Sequence, residues 1–507
     1  MKNIKEKEDN NSQQKGLDTK ISPYAWRILS LLGIIAIMVM YAETMLIPAI
    51  PDIITDLNIS FGMSSWILTA YLISGAVMTP ICASLSDIYG KKKILLIVVS
   101  IYLIGTTIAY FASEIVTFLI ARSIQGIGIS MFPIAFSIIR DCFPRDKISI
   151  GQGVITSMFA TGAAVGFSIG GLVVHNYGWH FTFLTLIPLT VLFILLVWKY
   201  IDIRKIEEYK QLNYNINKDN AEILSTKVDI KGALSLSIAI TCFLLALTLF
   251  ENNTSDPKIQ TIIIILLFII SLSTLASFII IERRTDQPLI NFKLLSNRTI
   301  LSANLLILIV GFTHFMIFQS IPILARNPVP LGFGLDAINT GNIQLPFAII
   351  FILFGPTSGI IISRMGSLKP IILGTIITSI SFLFMLFFHT EIYYISVALA
   401  VFATGLSFTA IGAMNIIILF TPSNYIGTST GLSVLIRILG SSVGPVIAAL
   451  YMQFNQSHIA INDSYFYPSS YSFDLIFLTA TLVSLCSIVL AVYLKRITNE
   501  KIITASD

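Results

Sequence analysis

Charged residues are scarce in this sequence. Of its 507 residues only 12% are charged, whereas 55% are hydrophobic, and the mean hydropathy is +0.84. A soluble globular chain carries about 25% charged residues. Several runs of about 20 apolar residues follow one another, each long enough to cross roughly 30 Å of hydrocarbon as a helix. The sequence therefore predicts an all-α polytopic membrane protein.

Cysteine is nearly absent, and it forms no metal-binding or redox pattern. Cys82, Cys142, Cys242 and Cys486 stand alone in or beside apolar runs, without CxxC spacing. The sequence also lacks a Walker phosphate-binding loop, an HExxH zinc signature and a GxSxG nucleophile motif. We therefore expect no metal, no cofactor and no enzymatic activity, and we interpret the cysteines as reduced packing residues.

The apolar runs predict about fourteen membrane spans. They begin directly after a polar N-terminal tail that we expect to be disordered and that has no cleavable signal peptide. The predicted spans are 26–50, 63–84, 94–112, 115–139, 151–174, 181–201, 231–250, 259–281, 299–323, 339–363, 369–388, 392–417, 427–453 and 472–494.

Lys and Arg fall mainly on one side of these spans. Of the 32, 28 lie on the side of the N-terminus, two on the other side (Lys258 and Arg326) and two within spans (Arg122 and Arg437). This bias predicts that both termini are cytoplasmic, which an even number of spans requires. The net charge of +5 is therefore a topology signal and does not indicate nucleic-acid binding.

Two polar interruptions divide the chain. The loops Asp202 to Ile230 and Glu282 to Arg298 separate six spans, a linker with two spans, and six more spans. Sequence around Ala83 to Lys93 is repeated weakly at Gly359 to Lys369, as in duplicated transporter folds whose substrate site lies near mid-membrane. The predicted divisions are a tail (1–25), an N-terminal six-helix bundle (26–202), the linker with its two helices (203–298), a C-terminal six-helix bundle (299–496) and a second tail (497–507).

One acid lies deep inside an apolar run. Burying the ionised carboxylate of Glu43 costs roughly 2.5 to 3.5 kcal/mol even on a lenient scale, which marks a functional residue. Arg122 and Gln125 share one helix face in the fourth span. Glu43 and Arg122 lie about 10 and 12 Å from the outer ends of their spans. Direct pairing between them is therefore geometrically allowed, and it is the least costly way to keep both charges.

Four stretches resemble one known family. They are the turn SDIYGKKK at 86–93, LIARSIQGIGI at 119–129, the glycine series from Gly162 to Gly171, and WILTAYL at 66–72. Together they resemble the major facilitator superfamily, in particular its branch of fourteen-span drug:proton antiporters. The resemblance implies the major facilitator fold, with two six-helix bundles and two linker helices. Three positions depart from the family pattern: Ala83 replaces Gly, Phe167 replaces Pro, and alignment places the usual first-span acid at Ala42.

The resemblance also implies roles for individual residues. Glu43 and Arg122 would couple protons. A cytoplasmic gate motif would comprise Asp87, Gly90, Lys91, Lys92, Arg140, Asp141 and Arg145, and the antiporter-motif glycines would be Gly162, Gly166, Gly170 and Gly171.

Polar and aromatic residues of other spans are candidates for lining a substrate cavity. Arg437 lies about 15 Å deep, where it either meets an anionic substrate group or binds helix carbonyls or Asn415. The cavity candidates are Trp66, Tyr71, Gln125, Asn304, His314, Gln319, Gln344, Asn415 and Arg437.

We expect a secondary transporter of the cell membrane, monomeric, that exports small lipophilic or cationic compounds in exchange for protons. Its partners would be the lipid bilayer, a small-molecule substrate and protons, with no nucleic acid. The alternatives are export of an endogenous metabolite or lipid, import of an organic anion through Arg437 and, ranked lower, a non-transporting membrane sensor or a lipid-modifying enzyme.

Overall fold

The computed structural model describes residues 21–144, 148–202, 230–249, 257–285, 295–421, 426–458 and 466–504. Helices dominate these residues, and a two-stranded antiparallel hairpin is an exception to the all-α expectation. The elements in chain order are α1 (Pro23–Thr44), α2 (Ile50–Asp56), α3 (Phe61–Tyr89), α4 (Lys91–Tyr110), α5 (Ile115–Gly126), a 3-10 turn (Ile127–Ser130), α6 (Met131–Cys142), α7 (Ile148–Tyr177), α8 (His180–Tyr200), α9 (Ile230–Leu249), α10 (Pro257–Arg284), α11 (Arg298–Arg326), α12 (Ala337–Met365), α13 (Leu368–Phe388), α14 (Ile392–Phe420), α15 (Ile426–Phe454), β1 (Gln456–His458), β2 (Phe466–Pro468) and α16 (Ser470–Thr504).

Twelve stretches of the described chain are helical, long and apolar enough to cross a membrane. One of them, Ile115–Cys142, combines α5, the 3-10 turn and α6. The helices α7 and α9 are not among the twelve, and α9 contributes only the shorter apolar stretch Leu234–Phe243. The predicted count of fourteen is therefore not confirmed, whereas a multi-pass membrane protein is.

The first helix ends directly after the buried acid. Pro48 has no amide hydrogen to donate to the carbonyl of Thr44, so an α-helical bond is missing at that point. The amide of Ile47 donates to that carbonyl instead, over 3.1 Å. Helix α1 therefore stops at Thr44, and the chain turns before the short helix α2.

Helix contacts arrange the chain in two halves, α1–α8 and α11–α16. Within the first, α1 packs against α7 and α8; within the second, α11 packs against α14, α15 and α16. Between the halves, α3 packs against α15 and α7 against α12. The helices α9 and α10 pack together, and α9 also contacts α3 and α15. The helix that carries Glu43 thus lies beside one of the helices that join the halves.

The surface of α10 is apolar. Ile262, Leu266 and Leu272 are more than half exposed, and side chains of this kind in a membrane protein face lipid. Such a surface accords with the multi-pass character of the chain.

Candidate functional site

Arg122 is completely buried and is held by three hydrogen bonds. Its Nε donates to the carbonyl of Ile67 over 3.0 Å, and its Nη1 donates to the carbonyl of Ala42 over 3.3 Å and to Oε1 of Gln125 over 2.5 Å. Its guanidinium carbon lies 4.3 Å from the ring centroid of Tyr71, a cation–π distance. Helices α1 and α3 therefore fix this cation through their backbone and one aromatic ring.

Further hydrogen bonds hold the residues around Arg122 in place. The side-chain amide of Gln125 donates to Thr106 of α4 over 3.0 Å, and the hydroxyl of Tyr71 donates to the carbonyl of Val39 over 3.2 Å. Tyr71, Gln125 and Arg122 are each 0% exposed. The network thus orients Nε and Nη1 of Arg122, whereas its Nη2 is buried without a hydrogen-bond partner among the described residues.

Glu43 lies next to this network but outside it. The carbonyl that Arg122 reaches belongs to Ala42, the residue before Glu43. The acid itself is 3% exposed and interacts electrostatically with Arg437 and Arg122. The ion pairs found among the described residues do not include Glu43. The direct Glu43–Arg122 pair allowed by the sequence is thus replaced by contact with the neighbouring carbonyl.

The glycines of α7 allow α1 to approach closely at the level of Glu43. A Cβ atom on Gly162 would lie 2.6 Å from the carbonyl oxygen of Ile37, and one on Gly170 would lie 2.7 Å from that of Met45. A Cβ on Gly166 would overlap Thr44, and one on Gly171 would lie 3.0 Å from the carbonyl oxygen of Ala337 in α12. The face of α7 that carries these four glycines therefore packs against α1 and, at its end, against the other half.

Arg437 lies on α15, the helix that packs against α3 of the other half. It interacts electrostatically with Glu43 on α1, and His314 on α11 interacts with it in turn. Its backbone carbonyl packs against Gly311, one turn before His314. Its side chain is half-buried, unlike that of Arg122.

An aromatic cluster surrounds His314. Its ring stacks on Phe347 with centroids 5.3 Å apart and meets Phe318 edge-on at 4.5 Å. Phe402 lies 5.5 Å from Phe347, and Phe318 contacts Phe167 of α7 at 5.2 Å. The cluster therefore reaches across the boundary between the halves.

The remaining cavity candidates are spread over several places. Gln344 is 0% exposed, and neither amide atom has a hydrogen-bond partner among the described residues. Gln319 donates to Ser64 across the halves over 3.0 Å. Asn304 donates to the carbonyl of Ile300 in its own helix, Asn415 donates to Ser367 at the start of α13 rather than contacting Arg437, and Trp66 is half-buried at the start of α3.

The predicted gate residues form contacts where α3 and α4 meet. Gly90 takes φ +96°, which a glycine accommodates without strain. Lys91 forms an ion pair with Asp141 of α6, whose other oxygen lies 3.7 Å from Arg140. Lys92 donates to the carbonyl of Trp198 in α8 over 2.7 Å. The side chain of Asp87 and all of Arg145 lie outside the described residues.

At the opposite end, polar contacts join the two halves. Arg326 at the end of α11 forms an ion pair with Asp52 of α2, and His175 lies 3.7 Å from Asp336. Trp179 donates to Asp56 over 3.0 Å, which ties α2 to α8.

Sequence reasoning missed three features of this site. The acceptors of Arg122 are backbone carbonyls, which carry no residue-specific signal. The aromatic rings around His314 look like ordinary packing residues in an apolar sequence. Asp52 and Arg326 had a usable signal, because Arg326 is one of two basic residues on its side of the spans. No group of three or more His, Cys, Asp or Glu in the described part of the chain is placed to hold a metal ion.

The stacked membrane-spanning helices, joined as two halves around buried charges, define a polytopic α-helical membrane protein. The model of the Major Facilitator Superfamily matches residues 32–445 and, in a second match, 305–505. The chain belongs to this superfamily.

Multidrug transporters are among its relatives. Multidrug resistance protein 3 of Bacillus subtilis (strain 168) is 29% identical over 336 residues, which cover 66% of this chain and 61% of that protein. The multidrug transporter protein MdtP of the same organism is 25% identical over 362 residues, which cover 71% of this chain and 62% of that protein. The chain thus spans about three fifths of the length of each.

The crystal structure of the human organic anion transporter MFSD10 has a similar fold. It superimposes with a TM-score of 0.59 over 93% of this chain and 100% of that one, at 14% identity. At this identity the likeness concerns the fold alone.

Proposed function

We infer that the protein is a proton-coupled secondary transporter of the cell membrane that exports small lipophilic or cationic compounds. The family and the multidrug relatives support a transporter rather than an enzyme, and drug efflux in particular. The observation that carries the proton coupling is the position of Glu43, which is buried in the field of two arginines without an ion pair to either among the described residues.

In this mechanism Glu43 takes up a proton when it faces the outside and releases it inside. The proton affinity of a carboxylate depends on its burial and on nearby cations. Arg122 is anchored by backbone carbonyls, so movement of α1 relative to α3 would change its distance from Glu43. Protonation would weaken the hold of Glu43 on a cationic substrate and on both arginines.

We also propose fourteen spans with both termini cytoplasmic. The two additional spans would be α7, a 30-residue helix, and α9, a 20-residue helix. Neither contains Asp, Glu or Arg; together they contain one lysine, Lys231 near the start of α9, and one histidine, His175 near the end of α7. Six spans on either side of the α9–α10 pair would then form the two bundles.

The test replaces Glu43 by Gln in the full-length protein reconstituted in liposomes. With ethidium as the probe, wild-type protein should move protons when ethidium is added and accumulate ethidium under an imposed pH gradient. Glu43→Gln should abolish the proton movement, because its amide does not titrate in this range. Undiminished proton movement in that variant would contradict the role of Glu43.

A further inference from the structure

The side-chain amide of Gln125 lies between two groups that its two ends match in only one orientation. On one side is Arg122, whose guanidinium has donors and no acceptor, and whose Nη1 donates to Oε1 of Gln125 over 2.5 Å. On the other side is Thr106 of α4, whose hydroxyl accepts from Nε2 of Gln125 over 3.0 Å. A flipped amide would turn its own donor toward the guanidinium and lose the bond to Arg122.

Thr106 enforces this orientation because its own hydrogen is already used. A threonine hydroxyl carries one hydrogen, and Thr106 donates it to the carbonyl of Tyr102, one turn earlier in α4, over 2.8 Å. Toward Gln125 the hydroxyl oxygen therefore acts only as an acceptor. Thr106, Gln125 and Arg122 are each 0% exposed, so bulk solvent does not compete for these groups.

The backbone packing around Gln125 brings these side chains together. A Cβ atom on Gly105, the residue before Thr106, would lie 2.5 Å from the amide nitrogen of Gln125. A Cβ atom on Gly126 would overlap the carbonyl oxygen of Tyr71 in α3. Helix α5 is thus packed backbone to backbone against both α4 and α3 at this level. The bond between Thr106 and Gln125 follows from that close approach of the helices.

This arrangement decides which donors of Arg122 remain. A guanidinium has five N–H groups. Ile67, Ala42 and Gln125 use that of Nε and both of Nη1, whereas Nη2 is buried without a hydrogen-bond partner among the described residues. Leaving a buried donor unsatisfied is costly, so another state of the protein should supply an acceptor. Glu43 directly follows Ala42, whose carbonyl already accepts from Nη1, and its carboxylate interacts electrostatically with Arg122.

We propose that Thr106 is a positioning residue for proton exchange, because it fixes the amide of Gln125 so that Nη1 of Arg122 is held and Nη2 is kept for the carboxylate of Glu43. When Glu43 releases its proton to water on the open side, its carboxylate binds Nη2. When Glu43 takes up a proton again, that bond is lost. Thr106 touches neither the proton nor the substrate and acts through Gln125. The inference rests on the proposed function in one respect, namely that Glu43 exchanges the proton.

A cycle of variants tests the link between Thr106 and Gln125 without transport. Thr106→Val keeps the shape of the side chain and removes the oxygen that accepts from Nε2, so a buried amide donor loses its partner. The midpoint of thermal unfolding of the full-length protein in detergent should fall by several degrees. In a Gln125→Met background the same change should have little effect, because no amide is left to orient. Equal falls in both backgrounds would overturn the link.

Transport tests whether this link serves proton exchange. In liposomes with an imposed pH gradient, Thr106→Val should accumulate ethidium about fivefold less than the wild type, as for one lost buried hydrogen bond. Its affinity for ethidium in detergent, measured by fluorescence, should be unchanged. Thr106→Ser keeps the hydroxyl and should restore most of the accumulation. Full accumulation by Thr106→Val, or equal impairment of Thr106→Ser, would overturn the positioning role.

The neighbouring threonine provides the matched control. Thr107 donates to the carbonyl of Leu103 over 2.8 Å, the same bond within α4 that Thr106 makes, but it lies about 100° further around the helix. Thr107→Val should leave both ethidium accumulation and the thermal midpoint close to those of the wild type. A loss as large as that of Thr106→Val would assign the effect to any hydroxyl of α4 and overturn the proposal.

The two kinds of measurement separate this inference from the proposed function. A wild-type protein that does not accumulate ethidium under a pH gradient would contradict the proposed function. The thermal cycle would then still decide whether Thr106 orients Gln125. Accumulation by the wild type that Thr106→Val retains in full would contradict the positioning role alone.

Discussion

Asp52 accepts a hydrogen bond on each of its carboxylate oxygens from a different terminal nitrogen of Arg326. The two residues lie on α2 and at the end of α11, so this bidentate pair joins the two halves of the molecule. The pair lies at the end of the molecule opposite to Lys91. Toward the same end as the pair, the side-chain amide of Gln319 donates a hydrogen bond to Ser64. The halves are thus held together at that end by an ion pair and by a hydrogen bond from a side-chain amide.

Breaking this pair should open that end more often. Asp52→Asn removes the charge from a partly buried bidentate pair, whose contribution is about 1 kcal/mol, or roughly a fivefold shift in population. Labelling of Ser64→Cys by a membrane-impermeant maleimide, in a variant without the native cysteines, should accelerate by about that factor. Exchanging the two charges, with Asp52→Arg and Arg326→Asp together, should restore slow labelling. Equal labelling rates with and without Asp52→Asn would show that the pair does not hold the end closed.

Replacement of Arg122 by lysine should impair transport. Lysine keeps the charge but lacks the planar fork that reaches Ile67, Ala42 and Gln125 at once and stacks on Tyr71. Gradient-driven ethidium transport by Arg122→Lys should fall about tenfold or more, because each lost hydrogen bond of a charged group is worth about 1.5 to 3 kcal/mol. The control is Tyr71→Phe, which keeps the ring under the guanidinium and loses only the hydroxyl bond to Val39. Its transport should fall less, and an equal loss in both variants would contradict the special role of the guanidinium.

The close approach of α1 to α7 should be sensitive to a single methyl group. In Gly162→Ala the new Cβ would lie 2.6 Å from the carbonyl oxygen of Ile37, which is backbone and cannot rotate away. The cost of such overpacking is about 1 to 3 kcal/mol, and the midpoint of thermal unfolding in detergent should fall by several degrees. Gly355→Ala is the matched control, because a Cβ there meets no atom within 4 Å and the residue is helical. That variant should be as stable as the wild type or more so.

The sequence predicted which residues share a helix face, but it did not predict which atoms of other helices those residues contact. Arg122 and Gln125 were expected on one face, and they do bond to each other over 2.5 Å. Their depth matched that of Glu43, but depth gives no direction around the helix, and one residue corresponds to about 100°. Arg122 accordingly reaches the carbonyl of Ala42 and not the neighbouring carboxylate. A backbone acceptor has no signature in the sequence.

Long-range partners were likewise beyond the sequence. Lys91 and Asp141 were both assigned to the gate motif by resemblance, yet nothing in the sequence pairs two residues that are 50 positions apart. Asn415 was considered as a partner of Arg437 because both are polar and lie within spans. It binds Ser367 instead, since the packing of α13 against α14 decides which side chains meet.

The ion pair between Lys91 and Asp141 should contribute to the stability of the fold. Asp141 is 7% exposed and accepts a hydrogen bond from Nζ of Lys91. The same Nζ also donates to the carbonyl of Ser137 over 3.0 Å. Removing one partner of a largely buried pair costs about 3 kcal/mol, because the other charge stays buried without its counter-charge. Asp141→Asn should therefore lower the thermal midpoint clearly. The double variant Lys91→Met with Asp141→Leu leaves no buried charge and should recover much of that stability. If the double variant were as unstable as Asp141→Asn alone, the pair would not be the source of the loss.

Transport by the stable double variant then tests the role of the pair in the gate. If the gate depends on these two charges, this variant should lose transport while its fold remains intact.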